Sequence, residues 1–210
     1  MLLGLRLPGY RHQPFLTAVS LVLLLAGISS IEAESGMKML CESTQGTDQM
    51  RKLATALVLT ICVAFVNWLP EMLFAVRNFP VSLREMQVPA VSVKSLTTAP
   101  GWLSLGGAVA WVAIVRLAGA VLTMLIVLEC SRGSQSYLAA VLKSAAVLAG
   151  ELALYLVLPG QWKLISLFGM LAGEGACGFG IVSTTAVAGW CVAGGMLYRR
   201  YMGGGRIWKG

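Results

Sequence analysis

Residues 102–128 read WLSLGGAVAWVAIVRLAGAVLTMLIVL, and the single charge in the run is Arg116. As a helix rising 1.5 Å per residue, the run is ~40 Å long. That exceeds a ~30 Å hydrocarbon core, so it must tilt or protrude. A helix apolar on every side is buried in a large core or spans a membrane, and the rest of the chain decides which. Upstream, 53–70 (LATALVLTICVAFVNWLP) is uncharged and long enough to cross, with Pro70 expected to end or kink it. Further upstream, 14–31 (PFLTAVSLVLLLAGISSI) is also uncharged and follows Arg6 and Arg11. It resembles a signal peptide but offers a poor cleavage site, so a retained first span is expected.

Downstream, 137–158 carries Lys143 and Glu151 among ten Leu and Val residues. Each Leu or Val favours insertion by about 0.3–0.6 kcal/mol and each central charge opposes it by about 2.5–3.5, so the sum is near zero. This segment crosses only when packed against neighbours; otherwise it lies in the interface. The last apolar run is broken by GEGACGFG at 173–180. It divides into a short embedded or interfacial helix at 162–172 and a span at 178–198. Polar loops are expected at 32–52 and 77–101, and a basic tail at 199–210.

The whole chain agrees with a membrane reading. Its 210 residues are 57% hydrophobic and 12% charged, with a mean hydropathy of +0.78. A soluble domain carries about 25% charged residues, and a charged exterior cannot be built from half that. An ordinary cytosolic enzyme, a disordered chain and a secreted disulfide scaffold are all excluded. The expected fold is an all-α polytopic membrane domain of four to five spans plus a glycine-broken embedded segment.

Chemistry-bearing patterns are few. His12 is the only histidine, which removes the usual general base. The five cysteines show no metal-ligand spacing. Gly173, Gly175 and Gly178 match a dinucleotide fingerprint, but neither a preceding strand nor a following acid accompanies them. No catalytic, cofactor-binding or metal-binding residue is assigned. Gly169, Gly173, Gly175, Gly178 and Gly180 instead suit a helix break or close helix approach. Ser183, Thr184 and Thr185 are expected to bond back to their own helix.

The candidate site is the set of intramembrane charges Glu71, Arg116, Lys143, Glu151 and Glu174. Such charges pair or line a polar path, and Arg116 is expected to pair with Glu151 or Glu174. Lys143 and Glu151 lie ~12 Å apart along one helix and cannot bridge each other. The chain carries a net charge of +7, concentrated at Arg199, Arg200, Arg206 and Lys209, a tail suited to anionic lipid or RNA phosphates. With five crossings, the two faces hold eight and six basic residues, and the tail favours a cytoplasmic C-terminus.

The run Trp162-Lys163-Leu-Ile-Ser-Leu-Phe-Gly169-Met-Leu-Ala-Gly173-Glu174-Gly175 resembles the closing region of flavivirus nonstructural protein 2A, especially its tick-borne members. Val81-Ser-Leu-Arg84-Glu85-Met86 is similar to the middle of that protein. The resemblance covers about a third of the chain by residue and the rest by hydropathy. It implies a non-enzymatic, multi-pass protein of the host endoplasmic reticulum membrane. The implied roles are viral RNA replication, membrane rearrangement, virion assembly and interferon antagonism. Implied partners are the lipid bilayer, other viral nonstructural membrane proteins and viral RNA, with self-association into a homo-oligomer as a further candidate. Competing readings are a small ion or proton transporter or channel using Arg116, Glu151 and Glu174, and an accessory subunit of a larger membrane complex.

Overall fold

Hydrocarbon offers no partner to backbone N–H and C=O groups, so each apolar run closes its own hydrogen bonds as a helix. The computed structural model of the chain describes residues 12–34, 45–78, 84–92, 100–132, 134, 136–174, 176 and 180–203. Its helices are α1 (Gln13–Glu34), α2 (Gln45–Asn78), α3 (Leu105–Arg132), α4 (Tyr137–Val157), α5 (Leu167–Ala172) and α6 (Ile181–Gly203). Short 3-10 turns lie at Glu85–Gln87, Ala90–Ser92 and Gly160–Ile165. Among the described residues there is no strand, only a bridge between Pro89 and Ser104. Helices α2, α3, α4 and α6 are each long and apolar enough to span a bilayer, and α1 carries a shorter apolar stretch, Gln13–Ile28. The chain is an all-α polytopic membrane protein.

Several boundaries differ from those expected. Helix α2 passes through Pro70 and continues to Asn78. An internal proline costs about 3 kcal/mol, whereas ending the helix in hydrocarbon would strand several backbone groups at several kcal/mol each. The loops expected at 32–52 and 77–101 are both invaded by helix: α1 runs to Glu34, α2 starts at Gln45, and 3-10 turns occupy part of 84–92. Residues 35–44, within the first of these loops, lie outside the described part. Two backbone bonds, Ala90 N to Leu103 O (2.7 Å) and Leu105 N to Val88 O (2.9 Å), clamp the 84–92 segment to the start of α3. That helix begins at Leu105 rather than 102, with Ser104 Oγ accepting from Gly107 N at 3.1 Å. It ends at Arg132, so Glu129 and Cys130, just beyond the apolar run, are on the helix.

The final span is α6, Ile181–Gly203, instead of 178–198, so the first part of the basic tail is helical. The reason lies in its last carbonyls: Arg132 Nη1 donates to the oxygens of Arg200 and Tyr201, each at 3.0 Å. A cation there satisfies carbonyls that a helix end leaves open and complements its negative dipole.

Helix α3 is the axis of the bundle, packed against all five other helices. Val115, Ala120, Met124, Val127 and Leu128 on it are buried. More than half of its apolar window, 56%, is covered by protein, against 6% for α6. Helix α6 runs beside α3 in the same direction: a Cβ on Gly194 would meet Leu122, and Arg200 reaches Glu129. Helix α1 starts at the level of Arg116, where Gln13 meets it, and the chain then alternates sides through α2, α3 and α4. It then dips into the protein from the side where α4 ends, returns, and crosses once more as α6. The dip is 160–174. Its helix α5 is not interfacial, because Leu167, Phe168, Gly169, Met170 and Leu171 are all buried. Non-helical backbone at such depth is tolerated where protein surrounds it.

Candidate functional site

Arg116 sits eleven residues into α3, ~17 Å from its start. A guanidinium at that depth needs partners for every nitrogen, and three segments supply them. Nη1 donates to Glu71 Oε2 at 2.8 Å, Nη2 to Gln13 Oε1 at 3.3 Å, and Nε to Leu171 O at 3.1 Å. Side-chain exposure is 12% for Arg116 and 4% for Glu71. Trp68, one turn before Glu71 on α2, places its ring 5.1 Å from the guanidinium carbon, a cation–π contact. Gln13 is itself held, its Nε2 donating to Asn67 O at 3.1 Å. The expected pairing of Arg116 with Glu151 or Glu174 is thus corrected. Its acid is Glu71, because an amide of α5 engages Glu151 and Lys163 engages Glu174.

Glu151 on α4 accepts from Leu167 N at 3.0 Å, and Ser166 Oγ accepts from Gly169 N at 3.1 Å. Together they satisfy amides at the start of α5. Arg116 meets Leu171 O at the other end of α5. The short helix is bracketed by a carboxylate at its N-terminus and a guanidinium at its C-terminus, the arrangement its dipole favours.

The chain turns back immediately after α5. Gly173 N donates to Met170 O and Glu174 N to Gly169 O, each at 3.0 Å, closing the helix as a Schellman turn. Gly173 adopts φ +69°, and a Cβ there would come within 2.8 Å of Val112 Cγ1. A Cβ on Gly169 would collide with the Lys163 carbonyl. These two glycines serve the break and its close approach to α3. The turn also aims Glu174 at Lys163 Nζ, 3.0 Å away, with Lys163 lying 4.6 Å over the Tyr155 ring. Gly180 accepts from Ser183 N and Thr184 N to open α6. Ser183, Thr184 and Thr185 return their hydroxyls to carbonyls at 180–182. Gly175 and Gly178 lie outside the described residues.

Lys143 is exposed on α4 and is not part of the Arg116 cluster. In the basic group, Arg199 is exposed and Arg200 Nε reaches Glu129 Oε1 at 2.7 Å. Arg206 and Lys209 lie outside the described residues. Glu129 Oε2 is buried with no hydrogen-bond partner among the described residues.

Gln13, Trp68, Lys163 and Glu129 were not among the residues expected from the sequence. Gln13 precedes an apolar run and Trp68 reads as core, so neither carries a signal of its own. Glu129 directly follows an apolar run, and its juxtaposition with the tail depends on α3 and α6 being parallel. Among the described residues no group of three or more His, Cys, Asp or Glu side chains is placed to hold a metal ion. No family model matches the chain, and neither a curated protein nor a solved structure shows significant similarity to it.

Proposed function

We propose that this chain is a non-enzymatic membrane scaffold whose intramembrane charges hold its own helices together. The observation that carries this reading is the engagement of all three Arg116 nitrogens by groups of the same protein. Glu151 and Glu174 are likewise engaged. Combined with the resemblance to flavivirus nonstructural protein 2A, the reading places the chain in the host endoplasmic reticulum membrane. There it would assemble with other viral nonstructural membrane proteins and viral RNA, supporting replication, membrane rearrangement and virion assembly, and antagonising interferon signalling. The basic group would supply the contact to RNA or anionic lipid.

The test is RNA binding by the full chain in neutral-lipid nanodiscs as salt is varied. The variant Arg199→Gln/Arg206→Gln/Lys209→Gln leaves the Arg200–Glu129 bridge in place. It is expected to weaken single-stranded RNA binding and to flatten the log–log salt slope by about 0.7 for each phosphate that is no longer neutralised. Binding indistinguishable from wild type would remove the tail from the RNA role.

One observation favours a second reading, a transporter: a broken, membrane-embedded helix such as α5 recurs in transporter binding sites. In liposomes carrying a pH or ion gradient, the scaffold reading expects no flux above empty vesicles. A flux abolished by Glu71→Gln would favour transport.

A further inference from the structure

Between Leu122 and Ser131, α3 is covered on all sides but one. Residues 122–125, 127, 128 and 131 are buried, whereas Ile126, Glu129 and Cys130 are half-buried. At 3.6 residues per turn these three share an arc of ~100°. Helices α4 and α6 bound that arc; both pack on α3, and they do not pack along each other. On the α4 edge, Cys130 shares a hydrogen bond with Ser144 and has Lys143 beside it. On the α6 edge, Arg200 Nε bridges to Glu129 Oε1 at 2.7 Å. Packed helix axes lie about 8–10 Å apart, so two helices ~100° apart around α3 are ~12–15 Å from each other. Long cationic side chains reaching in from both edges can span that slot through one shared anion.

Charge and depth decide the occupant. Arg132, Lys143, Arg199 and Arg200 converge here from three helices, and Glu129 is the one acid beside them among the described residues. One Glu129 oxygen is taken by Arg200 and the other is buried. Counting from Arg116, Cys130 and Arg132 lie ~21–24 Å further along α3. Residues 117–128 of α3 and 182–198 of α6 carry no charge, so these cations mark where hydrocarbon gives way to headgroups. A phospholipid phosphate sits at that depth, whereas RNA in water lies beyond it. A second copy turned about the bilayer normal would bring the same cations to the same level and be repelled.

We infer that the slot between α4 and α6 binds an anionic phospholipid. Lys143 holds its phosphate from one edge, Arg132, Arg199 and Arg200 from the other, and an acyl chain runs down past Ile126. The inference is independent of the scaffold reading and of the RNA contact, since Arg132 and Lys143 lie outside the tail.

The test is native mass spectrometry of the full chain released from detergent micelles. Phosphatidylglycerol and phosphatidylcholine with the same acyl chains are titrated separately, and the first bound lipid is counted. Phosphatidylglycerol should bind about tenfold more tightly. Lys143 is exposed, and Lys143→Gln should weaken phosphatidylglycerol about fivefold, the effect of one cation at an anionic surface, with phosphatidylcholine unchanged. Lys143→Arg should bind as wild type, and so should Arg77→Gln, which removes an exposed cation at the far end of α2. Equal wild-type affinity for the two lipids would overturn the inference, as would equal losses in Lys143→Gln and Arg77→Gln, which would mean diffuse attraction. Displacement of the lipid by equimolar glycerol phosphate or single-stranded RNA would overturn it too, by assigning the slot to a phosphate in water. So would a dimer that the lipid disperses, by assigning it to a second copy.

Discussion

Removing one member of a buried ion pair leaves the other charge unpaired in an apolar setting. Glu71→Ala is therefore expected to destabilise the protein by about 3–5 kcal/mol, whereas replacing both partners with apolar residues of similar volume can be nearly neutral. Denaturant unfolding in micelles should show Glu71→Ala well below wild type and Glu71→Leu/Arg116→Met recovering most of the difference. A double-variant loss equal to the sum of the two single-variant losses would show that the pair is not coupled. Gly173→Ala imposes a left-handed conformation on an L-residue, at roughly 1–2 kcal/mol, and adds the clash with Val112. The same unfolding assay should place it at least that far below wild type. That Arg116 needs an acid was legible in its apolar surroundings. That the acid is Glu71 was not, because a separation of 45 residues does not reveal which helix faces meet. Glu151 and Glu174 were equally plausible on sequence, and in the fold an amide of α5 and Lys163 occupy them.

At the scale of the element, α5 is too short to be stable alone, since isolated helices under ~12–15 residues are marginal. Its ends are held by Glu151, Ser166, Arg116 and the Schellman turn at Gly173. Glu151→Ala should cost about 0.5–2 kcal/mol, the range for losing a cap. Amide exchange should accelerate at Leu167 while α3 stays protected. Glu151→Gln, whose side-chain oxygen still accepts, should exchange nearly as wild type; equal acceleration in both variants would show that charge rather than the hydrogen bond holds the helix. The long helices were readable from uninterrupted apolar length, and Tyr137–Val157 matches its expected bounds within one residue despite Lys143 and Glu151. Polar ends were less readable. Whether Arg199 and Arg200 continue a helix depends on Arg132, 68 positions before Arg200. The break at 173–180 was visible as glycine, but the burial of α5 depends on the neighbours that surround it.

At the scale of the whole molecule, α3 is an axis that the other helices surround, with 160–174 entering and leaving the protein from one side. Hydropathy alone left four or five crossings open, because Lys143 and Glu151 bring the insertion balance of 137–158 near zero. The arrangement fixes which ends share a face. Gln161 opens the re-entrant segment and Ile181 follows it; both are exposed, as are Arg84 and Trp102 before α3. Arg199, near the end of α6, is exposed on the opposite face. The decisive experiment places single cysteines at 84, 161, 181 and 199 in an otherwise cysteine-free chain, in sealed vesicles of defined orientation, with a membrane-impermeant maleimide. Arg84→Cys, Gln161→Cys and Ile181→Cys are expected to label from one side and Arg199→Cys from the other. Labelling of Gln161→Cys and Ile181→Cys from opposite sides would refute the re-entrant fold, because 160–174 would then cross the bilayer instead of returning.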